Sequence, residues 1–136
     1  MKVVSEIDVG AAVCSEPASH EYLNVPLENL GPEPRLQDKK RVVEVSDKSQ
    51  ATARIRKIHT PLLIMGRDTD HLQGIFQVCY DWMKEAGKEV EWVSYNHPAH
   101  GFIFPGRRPG GAYQPDDIQR TAIDGMLAFF GRHMKK

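Results

Sequence analysis

Between Pro61 and Tyr95 the chain spells out a strand, a helix and a second strand, and this unit limits the fold more than any other stretch. Leu62-Leu63-Ile64-Met65 is a continuous apolar run of strand length, led in by Pro61 at a position where a missing N–H donor is tolerated. Leu72, Ile75, Phe76, Cys79, Met83 and Ala86 then follow the i, i+3, i+4 spacing that lays one buried stripe along a helix. Gly87 stands where such a helix ends on a left-handed residue. Val90, Trp92 and Tyr95 supply the next strand, Val90 to Tyr95. Strands that alternate with helices in this way belong to a parallel sheet with helices on both faces.

The rest of the chain extends the pattern. Val9-Gly10-Ala11-Ala12-Val13-Cys14 is a third apolar run, bounded by Asp8 and by Ser15-Glu16-Pro17, and suits a buried parallel strand. Met1 to Ile7 reads as the tail of a helix. From Ala18 to Pro34, Pro26, Gly31, Pro32 and Pro34 mark an irregular excursion, equally suited to the border of a substrate pocket and to a plain surface loop. Leu36 to Val45 is read as a helix with Leu36, Val42, Val43 and Val45 inward. Ser46 or Asp47 caps a second one through Ala51, Ala53 and Ile55. Asp116 and Asp117 open a last helix whose inward stripe is Ile118, Ala122, Met126 and Phe130. Its acidic start and its end at Arg132, His133, Lys135 and Lys136 suit the helix dipole. The expectation is one α/β domain over residues 1–136, with a three-stranded parallel sheet and flanking helices.

Composition excludes several classes of partner. Lys plus Arg number 18 and Asp plus Glu number 18, so nothing in the charge balance suggests nucleic acid or an anionic membrane. Lys48, Arg54, Arg56 and Lys57 read as the solvated face of a helix. No apolar run approaches the ~20 residues of a membrane-spanning helix, and Met1 to Ser5 lacks the apolar core of a signal peptide. Cys14 and Cys79 are too few for a disulfide scaffold and read as buried apolar thiols. A cytoplasmic protein without a cofactor is expected.

The chemistry gathers after the strands. Trp92 to Tyr95 runs into Asn96-His97-Pro98-Ala99-His100-Gly101-Phe102, where Gly101 removes the Cβ that would obstruct a sharp turn after His100. Gly66-Arg67-Asp68-Thr69-Asp70 follows the strand upstream. An acid and a histidine, each at the carboxyl end of a parallel strand, stand where α/β enzymes keep their reactive groups. His97 with His100 is a candidate metal pair, but no third ligand of suitable spacing is evident. The loop Pro105 to Pro115 holds Gly106-Arg107-Arg108-Pro109-Gly110-Gly111. Glycines beside arginines can cradle phosphate, yet no Gly-Lys-Ser/Thr ending is present, so it reads as a mobile loop beside the histidine.

Thr60-Pro61-Leu62-Leu63-Ile64, Gly66 with an Asp, Tyr80, Glu85-Ala86-Gly87-Lys88 and His100-Gly101-Phe102 together resemble the C-terminal third of an α/β-hydrolase. The likeness is nearest to the prolyl-oligopeptidase-like and dienelactone-hydrolase-like branches, and residues 8 to 20 resemble the strand that follows the nucleophile helix there. The resemblance implies a Ser-His-Asp site with His100 as base. Counting from Pro61, and with Leu72 completing Asp-x-Leu, it implies Asp70 as acid; counting back from Gly87 points to Asp68. The nucleophile elbow Gly-x-Ser-x-Gly is missing: Ser5, Ser15, Ser19, Ser46, Ser49 and Ser94 lack the flanking glycines, as do both cysteines. In the family the elbow lies ahead of the strand at Val9 to Val13, so it would fall before Met1.

Two functions fit. One is the C-terminal portion of a serine hydrolase of ester or peptide bonds, active only when joined to its other half. The other is a non-catalytic interaction module or truncated pseudoenzyme. Without a neighbour for the strand at Val9 to Val13, either version is expected to self-associate.

Overall fold

The computed structural model describes residues 3–17, 19–25, 36–104 and 110–134. Three parallel strands, β1 (Ala12–Ser15), β2 (Leu62–Arg67) and β3 (Val90–Tyr95), lie side by side in chain order. Among the described residues four α-helices accompany them: α1 (Lys39–Val45), α2 (Lys48–Ile55), α3 (Gln73–Glu85) and α4 (Asp117–His133). The α/β architecture with a three-stranded parallel sheet is the one expected.

β2 is central, and Leu62, Leu63, Ile64 and Met65 are all buried. Each such side chain taken from water contributes about 1.5–3 kcal/mol. Successive residues serve opposite faces. Leu62 and Ile64, with Ala12, Cys14, Val90 and Trp92, meet the side chains of α1, α2 and α3. Leu63 and Met65, with Ala11, Val13, Val93 and Tyr95, meet α4 and the segment Phe102–Ile103.

Several boundaries differ from the sequence reading, each for a local reason. β1 starts at Ala12 instead of Val9: the Val9 N–H goes to Thr60 Oγ1 (3.2 Å), and the ladder begins where the Ala12 N–H reaches Pro61 O (3.0 Å). Residues Val3–Ser5 form a single 3-10 turn in place of a helix tail. α1 begins at Lys39 because Asp38 accepts the N–H groups of Lys40 and Arg41. Val42 is its buried position, whereas Val43 is exposed. Asp47, not Ser46, caps α2 by accepting from the Gln50 N–H, and Ala51 and Ile55 are buried there while Ala53 is exposed. The excursion expected at 18–34 and the loop at 105–115 lie partly outside the described residues.

α3 buries more than one stripe. Gly74, Val78 and Trp82 are covered together with Ile75, Phe76, Cys79 and Met83, because α1 and α2 pack on it in addition to the sheet. The approach is closest at Gly74, where a Cβ would stand 2.6 Å from Leu36 O and 2.8 Å from Lys39 N. The helix ends as expected. Gly87 has φ +69°, its N–H returns to Lys84 O and the Lys88 N–H to Met83 O, a Schellman closure.

α4 is held by a capping box between Asp116 and Gln119. Its most buried residues are Gln119, Ala122 and Phe129, with Ile118, Met126 and Phe130 only partly covered. The helix is thus rotated from the expected stripe, since the Gln119 amide turns inward to donate to Phe102 O. Among the described residues no helix is long and apolar enough to cross a membrane.

Candidate active site

The carboxyl ends of all three strands converge. β2 ends at Arg67, and the turn after it returns the Asp70 N–H to Arg67 O (3.2 Å) and places Asp70 fully out of solvent. β3 ends at Tyr95, and the loop that follows brings His100 back over the same spot. Gly101 after it has φ +72°, which a glycine adopts without the strain a Cβ would bring. The result is a contact of 2.7 Å between His100 Nδ1 and Asp70 Oδ2. Asp68, the alternative acid, lies exposed in the turn.

Asp70 is held on every side. Its Oδ1 accepts the Leu72 N–H (2.8 Å), so the Asp-x-Leu spacing is the span of this turn. Its Oδ2 also accepts from Arg67 Nε (2.9 Å), and Arg67 Nη1 donates to Pro98 O (3.0 Å), tying the guanidinium to the histidine loop. Burial alone would raise the Asp70 carboxyl, but hydrogen bonds from His100, Leu72 and Arg67 outweigh it and hold the group below its ordinary value. Asp70 is therefore an ionised acceptor. An imidazole facing it donates from Nδ1 and leaves Nε2 as its basic nitrogen. The His100 side chain is 44% exposed, so the ring is open to an approaching molecule.

Three residues of this cluster were not singled out in the sequence. Arg67 is the last residue of β2. His71 lies beside its neighbour Asp70, its Nδ1 3.5 Å from Oδ1, and its ring centroid is 4.8 Å from that of His100. Glu16 follows β1 and is buried, with a left-handed backbone at φ +43° that costs a non-glycine residue of order 1–3 kcal/mol. Its Oε2 accepts the Gly101 N–H. Burial pushes this carboxyl up, Gly101 and His100 pull it back, and the neighbouring Asp70 carboxyl, through hydrogen bonding and then charge, adds to the rise. For Arg67 and Glu16 the available signal was position, a charged residue directly at the end of an apolar strand; His71 carried no such signal.

His97, weighed above as a metal partner of His100, is engaged elsewhere. Its Nε2 meets Asp116 Oδ2 at 3.1 Å, its Nδ1 accepts the Ala99 N–H at 3.0 Å, and its ring stacks on Phe102. The metal-donor group among the described residues is instead Asp70, His71 and His100, with donor atoms within 4.8 Å of one another. Both Asp70 oxygens are already occupied by N–H donors, one of them a guanidinium, which suits proton transfer better than a cation. The Ser15 and Ser94 hydroxyl oxygens are covered and have no hydrogen-bond partner, while Ser19 and Ser46 donate to main-chain carbonyls. A surface hollow between residues 21–25 and the α1–α2 junction shares no residue with this site.

In comparison with known proteins, the chain matches no family model, no curated protein and no solved structure.

Proposed function

We propose that this chain supplies the acid and base of a Ser-His-Asp hydrolase, as the C-terminal part of an α/β-hydrolase of the prolyl-oligopeptidase-like or dienelactone-hydrolase-like kind. The observation that carries the reading is the 2.7 Å contact between His100 Nδ1 and a fully buried, ionised Asp70. In such a site Asp70 fixes the tautomer and stabilises the imidazolium. His100 Nε2 takes the proton of an attacking hydroxyl and returns it to the leaving group. The substrate class is an ester or peptide carbonyl.

The nucleophile and the oxyanion donors belong to residues outside those described. They matter in energy, since removing one oxyanion donor typically costs ~2.7–4 kcal/mol. A positioned base alone contributes about 10²–10⁴-fold. The chain by itself is accordingly a base with nothing to activate. Neither a nucleic-acid partner nor a membrane is part of the proposal, and the compartment proposed is the cytoplasm.

Fluorophosphonate labelling, which reports an activated serine, is the test. The chain alone stays unlabelled and hydrolyses nitrophenyl esters no faster than His100→Ala. Combined with a segment that carries a Gly-x-Ser-x-Gly elbow, it becomes labelled, and His100→Ala or Asp70→Asn lowers the rate by orders of magnitude while Asp68→Asn does little. Stoichiometric labelling of the chain alone would overturn the division of labour. Labelling of the combination that survives His100→Ala would overturn the base.

A further inference from the structure

The proposed chemistry uses one carboxylate, yet the site holds two. The Glu16 side chain is 3% exposed against 0% for Asp70, and it arrives from a different strand. Its two oxygens are used differently. Oε2 accepts the N–H of Gly101, the residue directly after His100. Oε1 is buried without a hydrogen-bond partner, 3.6 Å from His100 Nδ1 and 3.8 Å from Arg67 Nε. The Glu16 N–H is itself committed to Met65 O at 2.7 Å, so the end of β1 is locked to β2 and cannot drift away from the histidine loop. A buried acceptor loses its hydration, and here one hydrogen bond, to the backbone that aims the imidazole, offsets that loss.

We propose that Glu16 is a positioning residue for His100: its carboxyl clasps the Gly101 N–H and closes the Nδ1 side of the ring, so that the imidazole stays on Asp70 with Nε2 outward. The proposal rests on the reading of His100 and Asp70 as a base–acid pair. It requires an acceptor of the right length at position 16, and no negative charge there. The upward push of burial on this carboxyl agrees with that requirement.

Nitrogen-15 NMR of the whole chain tests it through two signals, hydrogen exchange at the Gly101 amide and the low-field Nδ1 proton of His100. Glu16→Gln keeps the length and an acceptor and retains both. Glu16→Met keeps the length without the acceptor; its Gly101 amide exchanges about tenfold faster, as the loss of one hydrogen bond permits, and its Nδ1 proton broadens away. Retention of both signals in Glu16→Met, or loss of both in Glu16→Gln, overturns the proposal. Should Glu16→Met fail to fold, the wild-type chain decides: a Gly101 amide that exchanges like an open loop overturns the clasp, and a protected one supports it. Asp70→Asn separates the two readings. A Nδ1 proton that persists there sinks the acid–base pair itself, while one lost there but kept in Glu16→Met leaves the pair standing and removes Glu16 from it.

Discussion

The two faces of the sheet are built to different standards. On one, Ala12, Leu62 and Val90, then Cys14, Ile64 and Trp92, form rows across the three strands, and α1, α2 and α3 close over them. On the other, the row of Val13 and Leu63 ends at exposed Glu91, which is held at 2.7 and 2.8 Å by Arg132 of α4. Helix α4 buries only Gln119, Ala122 and Phe129, and Leu127 on it is 64% exposed. The closed face supplies stability. The half-open face and the strand ends beside it carry the polar contacts that place the histidine loop: Gln119 on Phe102, Asp116 on His97, and Arg67 on Pro98. Rigidity on one side lets the other be assembled from loops.

The sharpest probe of the closed face is Cys79, whose thiol burial pushes up to about 12. At pH 8 the folded chain should react with iodoacetamide at Cys79 far more slowly than the unfolded chain, since the sulfur is out of solvent and burial disfavours the reactive thiolate. Equal rates would mean that this face opens readily. The sign of the linkage follows: a thiol raised in the folded state lends stability that is complete below its unfolded value and is lost as pH rises toward about 12. Melting temperature should accordingly fall on the alkaline side.

Next in size is Phe76→Ala, which empties a fully buried site on the closed face and should cost about 3–5 kcal/mol in urea titration. Ile118→Ala, partly covered on the open face, should cost about 1 kcal/mol. Equal losses would erase the contrast between the faces.

Two glycines then make a paired test. Gly74→Ala places a Cβ against backbone atoms of the chain entering α1 and should destabilise by about 1–3 kcal/mol. Gly131→Ala on α4 meets nothing within 4 Å and should stabilise by about 0.5–1 kcal/mol through helix propensity alone. Calorimetry that finds both changes neutral would place α3 farther from α1 than it stands here.

The smallest effect concerns the edge of the sheet. β1 is an outer strand, and its residues Ala12 to Ser15 are only partly covered. Sedimentation should show the mean mass rising with concentration, and Val9→Lys, at an exposed residue just ahead of that strand, should suppress the rise by charging the edge. A monodisperse monomer at every concentration would remove the edge as a pairing surface.

What the sequence determined by itself was the series of elements. Apolar runs of strand length, the 3.6-residue stripe of α3, Gly87 at its end and Asp116 before α4 are local signals, because they depend on backbone propensity and on which side of one element is apolar. Gly101 was legible for the same reason, as a turn that a Cβ would obstruct. Tertiary structure alone decided which distant groups meet. Glu16 and Gly101 lie 85 positions apart, and no periodicity announces their contact. The choice of Asp70 beside His100 over Asp68 depends on how the turn after β2 folds under Leu72 and Arg67. The breadth of α3's buried surface and the need for glycine at position 74 arise only when α1 lies across it. Each of these is a matter of register and packing between elements, where one residue of shift exchanges every partner.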